Sequence, residues 1–88
     1  MNGNLGRVPT GLNKETRKKL GKSVAVKLAD RLLARRKVLG FSQQELSALA
    51  GINTSSVKRM EKGEGDPMLS LIEAVATALR VQVSELIG

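Results

Sequence analysis

The stretch "SQQELSALAGINTSSVKRMEKG", Ser42 to Gly63, decides how this chain is read. It holds two short helical patterns separated by one glycine. Ser42 stands where a helix cap belongs, and Glu45 follows three residues on, the spacing of a capping box. This predicts a helix over about 43–50 that Gly51 ends. Asn53 is placed to cap a second helix over about 54–62, which Gly63 ends. At 100° per residue, with Thr54 at 0°, Lys58 falls at roughly 40°, Lys62 at 80°, Ser55 at 100° and Arg59 at 140°. The other side carries Ser56, Val57, Met60 and Glu61. Val57 and Met60 therefore anchor the second helix, and a whole polar, basic face is left outward. Two helices joined so tightly around Gly51 form a helix-turn-helix, whose second helix can enter a major groove.

Working outward, the rest of the chain is also helical in pattern. Leu20, Val24, Leu28 and Leu32 recur at steps of four. Gly21 interrupts this stripe at a cost of about 1 kcal/mol relative to alanine. A short helix over 14–20, capped by Asn13, and a firm one over about 23–38, capped by Ser23, are expected; one continuous helix is the alternative. Gly40 fits a left-handed helix end. "GEGDP" is a turn cluster. A fourth helix is expected from Pro67 or Met68 to about Leu79, burying Leu71, Ile72, Val75, Ala76 and Leu79. Ser84 is placed to cap a last turn through Ile87. No segment reads as a strand, so the expected class is all-α with five short helices. Residues 1–21 read as a basic, flexible N-terminal arm, and 22–88 as the domain.

Composition narrows the chemistry. The 88 residues contain no cysteine and no histidine, which removes disulfides, thiolate metal sites and most nucleophile–base pairs. No glycine-rich phosphate loop follows a strand pattern. An enzyme is not expected, nor is any cofactor or metal. No apolar run approaches the roughly 20 residues of a membrane span, and the N-terminus lacks a signal-peptide core. The expected location is the cytoplasm, on the nucleoid. The net charge of +7 is unevenly spread. Residues 1–40 carry 11 Lys/Arg against Glu15 and Asp30, whereas residues 41–88 carry four against six acids. Such asymmetry points to a polyanion. Phe41 is the only aromatic residue, so the chain lacks the stacking platforms of single-strand and RNA-loop binders. Duplex DNA needs none.

From Leu28 to Gly88, about two-thirds of its length, the chain resembles the lambda-repressor-like helix-turn-helix family of Cro-type phage and bacterial regulators. The resemblance rests on "LADRLLARRKVLGFSQQELSALAGI" followed by "SSVKRMEKGEGDPMLSLIEAVATALRVQVSELIG". Its most specific marks are Ser42-Gln43 with Glu45-Leu46, Gly51, Val57, Met60-Glu61-x-Gly63, Pro67 and the final Val81-x-x-x-Glu85-Leu86. It implies a five-helix, all-α DNA-binding domain. It also assigns roles. Arg59 sits at a base-contacting position and is able to make two hydrogen bonds to guanine. Thr54 and Ser55 match the first helical positions, where hydroxyls reach bases or phosphates. Lys58 is placed for phosphate or base, and Lys62 for phosphate. Gln43, at the start of the first helix of the motif, binds phosphate in the family, and the helix N-terminus favours an anion there. Asn53 is a cap first and a phosphate contact second. Arg36 is set against Glu61 as a structural ion pair, with Arg31, Arg35 and Lys37 outward.

The chain departs from the family pattern at three places. Ser47 replaces the alanine usual where the two helices meet, Arg35 occupies a position often apolar, and Arg80 replaces a common glycine.

The expected function is sequence-specific binding of double-stranded DNA as a repressor, by a homodimer on an inverted repeat. The alternative is an antitoxin, whose N-terminal arm (Arg7, Lys14, Arg17, Lys18, Lys19, Lys22) covers a toxin partner while the domain regulates its own operon. A third class, a protein lying on a membrane surface through the basic helix over 14–38, is the remaining rival.

Overall fold

A computed structural model describes the backbone from Lys14 to Gly88 and the side chains from Val24 onward. Of the arm expected over residues 1–21, residues 1–13, with the cap at Asn13, lie outside the described residues, whereas residues 14–21 are helical. Five helices follow: α1 (Lys14–Leu39), α2 (Gln43–Ala50), α3 (Thr54–Lys62), α4 (Leu69–Leu79) and α5 (Val83–Ile87). Among the described residues there is no strand. None of the described helices is long and apolar enough to cross a membrane.

α1 is one continuous helix of 26 residues, so the expected break at Gly21 does not occur and Ser23 lies within the helix rather than at its start. Glycine keeps its backbone N–H and does not clash with the preceding turn as proline would; its cost of about 1 kcal/mol weakens a helix without ending it. The four-step stripe enters the core only in part. Leu28 and Leu32 are fully buried, but Val24 remains 42% exposed.

The helix-turn-helix forms from its local signals. Ser42 Oγ accepts from the Glu45 N–H at 3.0 Å, and Glu45 Oε1 accepts from the Ser42 N–H at 2.8 Å, which completes the capping box. Gly51 is left-handed at φ 71°, and the next N–H, that of Ile52, donates back to the Ser47 carbonyl at 3.0 Å. Gly63 repeats this ending for α3 at φ 70°. α4 begins at Leu69, just beyond the expected start. α5 begins at Val83: the Glu85 carboxylate reaches back to the Gln82 N–H at 2.7 Å, which makes Gln82 the capping residue in place of Ser84.

The core is a single cluster drawn from every helix: Leu28 and Leu32 of α1, Leu46 of α2, Val57 and Met60 of α3, Ile72, Val75, Ala76 and Leu79 of α4, and Leu86 of α5. Leu71, expected on the buried face of α4, is half-buried at its edge. α1 packs against α3, α4 and α5, while α2 packs against α3 and α4. The fold thus holds α3 between α1 and α2 by its Val57–Met60 side.

Arg31 and Arg35 are not free on the outside as expected. Arg35 Nε donates to the Leu79 carbonyl at 3.0 Å, and Arg31 Nη1 donates to the Gly88 carbonyl at 2.6 Å. The last carbonyls of a helix have no partner within it, and guanidinium groups on a neighbouring helix supply one. Arg80, directly after α4, takes the left-handed conformation at φ 59°, ψ 43°, where glycine is the unstrained residue. Its side chain is exposed. Arg80→Gly is therefore expected to stabilise the fold by roughly 0.5–1 kcal/mol in urea denaturation, since relief of a Cβ clash worth about 1–2 kcal/mol exceeds the entropy added to the unfolded chain. A loss of stability would show that the arginine side chain contributes more than its backbone strain costs.

Candidate nucleic-acid interface

The candidate interface is built around α3. Lys58, Arg59, Lys62 and Ser55 are exposed along its outward side, while Val57 is 0% and Met60 2% exposed beneath them. Holding a nine-residue helix with so many charges on one side requires a firm hold on the other. Two buried apolar residues supply part of it, and Glu61 supplies the rest.

Glu61 receives three hydrogen bonds. Arg36 Nε donates to Oε2 at 2.6 Å, Arg36 Nη2 to Oε1 at 2.9 Å, and Gln43 Nε2 to Oε1 at 3.0 Å. The Arg36 and Glu61 side chains are 12% and 6% exposed. Arg36 Nη1 also donates to the Phe41 carbonyl at 2.7 Å, which fixes the segment entering α2. One carboxylate thus ties together α1, the N-terminus of α2 and the last turn of α3. Burial by itself would raise the Glu61 pKa; the hydrogen bonds from Arg36 and Gln43, helped by the charges of Arg36 and Lys37, outweigh it and hold the group below the ordinary carboxylate range. Arg36 is correspondingly held above its ordinary value, first by its hydrogen bond to Glu61.

The remaining candidates are placed as follows. Gln43 stands at the first position of α2, its side-chain amide turned toward Glu61 and the end of α3. Asn53 occupies the capping position of α3 with an extended backbone, yet its side chain makes no capping hydrogen bond and stays exposed; the capping role expected of that side chain is not the one it plays. Thr54 is half-buried, with Oγ1 at 2.9 Å from Ser47 Oγ. Arg59 lies back along the end of α3 over Gly65, where a methyl group on the glycine would come within 2.9 Å of Nη2. Ser47 was not among the sequence candidates for the interface. Its only sequence signal was a hydroxyl where the family pattern has alanine.

This geometry defines a helix-turn-helix domain with an exposed basic second helix. A family model described as helix-turn-helix matches residues 32–86, and the chain belongs to that family. Over 63 residues it is 33% identical to the cryptic phage CTXphi transcriptional repressor RstR of Vibrio cholerae serotype O1, a match that takes in 72% of this chain and 56% of the repressor. The chain thus spans little more than half the length of that relative. Among solved structures, the restriction-modification controller protein C.AhdI from Aeromonas hydrophila is similar at a TM-score of 0.67 and 37% identity, over 70% of this chain and 94% of that one.

The network around Glu61 makes two measurable demands. Glu61→Ala is expected to lose about 3–5 kcal/mol at neutral pH by urea denaturation, because Arg36 is left buried and uncompensated. A loss within roughly 0.5 kcal/mol, the range of harmless surface changes, would show that the pair contributes nothing. The pH dependence has a fixed sign. A carboxylate whose folded pKa is lowered stabilises fully above its unfolded value of about 4.3, and loses that stabilisation as pH falls through the folded value. The stability gap between the wild type and Glu61→Gln should therefore stay constant between about pH 6 and 8 and narrow below about pH 4.

Proposed function

We propose that this protein is a sequence-specific, duplex-DNA-binding transcriptional repressor that acts as a homodimer on an inverted-repeat operator, with α3 in the major groove. The observation that carries this reading is the braced outward face of α3: exposed Ser55, Lys58, Arg59 and Lys62 on a helix whose other side is locked by Val57, Met60 and the Arg36–Glu61–Gln43 network. A solvated surface helix needs no such bracing. The similarity to a phage transcriptional repressor and to a restriction-modification controller supports the same reading. Phe41 packs against the core, so the chain's one aromatic side chain is not offered as a stacking platform for unpaired bases.

The roles follow from chemistry and position. Arg59 reads a base edge; an arginine fork matches guanine O6 and N7 and discriminates by about 1–3 kcal/mol. Thr54, Ser55 and Lys58 line the same approach. Lys62 and Asn53 neutralise or bind phosphate. Gln43 has two amide protons, of which one goes to Glu61, leaving the other for a phosphate at the N-terminus of α2. Glu61 then acts on DNA only through what it holds in place.

Arg59 and Lys62 are expected to fail differently when replaced. Arg59→Ala should relax preference at one base pair per half-site, because a base contact is lost. Lys62→Ala should weaken cognate and scrambled duplexes alike and flatten the salt dependence by about one counterion. Titrations of both duplexes over a salt series measure the difference. Equal weakening of both duplexes by Arg59→Ala would reduce α3 to a docking face for phosphate.

The dimer makes a geometric prediction. Half-sites read on one face of B-DNA lie about 34–36 Å apart, or a multiple of that. Inserting half a helical turn between them should abolish cooperative binding in a gel-shift titration. Binding indifferent to the insertion would rule out a rigid symmetric dimer.

A further inference from the structure

Ser47 and Thr54 sit across the junction of α2 and α3, and their hydrogen bonds fix where each proton goes. Ser47 is 5% exposed. Its Oγ lies 2.7 Å from the Gln44 carbonyl and 2.9 Å from Thr54 Oγ1. A carbonyl only accepts, so the single hydroxyl proton of Ser47 goes to Gln44. Ser47 Oγ must then accept from Thr54, and the Thr54 hydroxyl proton is directed into the protein. Thr54 is the first residue of α3, and in a helix-turn-helix the N-terminal residues of the second helix contact base edges.

We infer that Ser47 makes Thr54 a reader of the thymine methyl group: with its hydroxyl held by Ser47, Thr54 offers DNA its γ-methyl and no proton. This inference rests on the DNA-binding reading above and names one ligand feature within it. Guanine N7 and O6, adenine N7 and thymine O4 are all acceptors in the major groove, and a threonine without a free proton gives them nothing. The cytosine and adenine amino groups require an acceptor, but Thr54 Oγ1 is turned to Ser47 of α2, 2.9 Å away. The methyl leaves Cβ in a different staggered direction and is free of that bond. Its complement in the groove is the thymine 5-methyl, the apolar feature among the base edges. Alanine at position 47 accepts no proton, so a chain with alanine there would leave the same threonine free to donate. A buried serine thus changes what an interface residue reads without touching DNA, and Ser47 is a positioning residue.

The test begins with selection of duplexes bound by the wild-type protein from a random pool. Each thymine of the recovered site is then replaced in turn by deoxyuridine, which removes only the methyl. One thymine is expected to weaken binding about fourfold, the effect of burying one methyl-sized group (~0.8 kcal/mol at 1.4 kcal/mol per tenfold). That sensitivity should survive in Thr54→Val, which keeps a methyl and lacks the hydroxyl, and vanish in Thr54→Ser, which keeps the hydroxyl and lacks the methyl. Ser47→Ala, with its fold checked by thermal denaturation, should lower the preference for thymine over purines at that position several-fold. The Thr54 variants leave Ser47 in place, so their outcome does not depend on how well Ser47→Ala folds. A wild-type protein that selects no sequence would overturn the regulator reading itself. A selected site at which Thr54→Ser keeps full deoxyuridine sensitivity, or at which folded Ser47→Ala keeps the wild-type preference, would overturn this inference and leave the regulator reading standing.

Discussion

The Glu61 carboxylate, with two hydrogen bonds from Arg36 and one from Gln43, is the constraint on which the arrangement of the first three helices depends. A charge this far from water is tolerated only when it is paired and its lone pairs are filled. Filling them requires α1, the start of α2 and the last turn of α3 to come to one point. The apolar core alone would hold α3 by Val57 and Met60 and leave its rotation loosely specified, since hydrophobic burial is non-directional. Two parallel N–H···O bonds from a planar guanidinium add the missing direction.

That direction matters because the two sides of α3 must not exchange. Its outward side carries Lys58, Arg59 and Lys62, and any rotation that buries them would strand charge in the core. The same network extends to the side chain that opens α2, so the Gln43 amide and the outward face of α3 are positioned by one group. The interface and the stability of the domain are therefore coupled at Glu61. The charge pattern fits this division: the cations concentrated in residues 1–40 include one, Arg36, that is used internally to hold α3.

Helix endings are handled by two devices. Gly51 and Gly63 close α2 and α3 by local left-handed geometry. α4 closes the same way at Arg80, and the ends of α4 and α5 also take donors from α1, with Arg35 on the Leu79 carbonyl and Arg31 on the Gly88 carbonyl. Arg80 keeps the left-handed turn that its neighbours need although it is not glycine, so the fold tolerates strain there.

The capping box at Ser42 and Glu45, the stops at Gly51 and Gly63, most of the apolar face of α4 and, apart from the half-buried Thr54, the inward–outward division of α3 were legible from residues alone. Each depends on side chains within one or two helical turns, where spacing fixes geometry. The Arg36–Glu61 pairing was legible only through the family resemblance, because spacing on separate helices does not say which residues meet. Of the two readings open at Gly21, a break and one continuous helix, the structure has the second, because a local cost of about 1 kcal/mol does not end a 26-residue helix. The roles of Arg31 and Arg35, the exposure of Val24, the Gln43–Glu61 bond and the Ser47–Thr54 pair came from the tertiary structure. In the basic run "RLLARRK" one arginine binds a carboxylate and two bind helix-end carbonyls, and nothing in their shared chemistry separates them. Which acceptor each meets depends on how α3, α4 and α5 pack on α1. Local spacing sets where the helices begin and end around the turn and, Thr54 apart, which side of α3 faces out; the packing of separate helices sets which polar partner each side chain keeps.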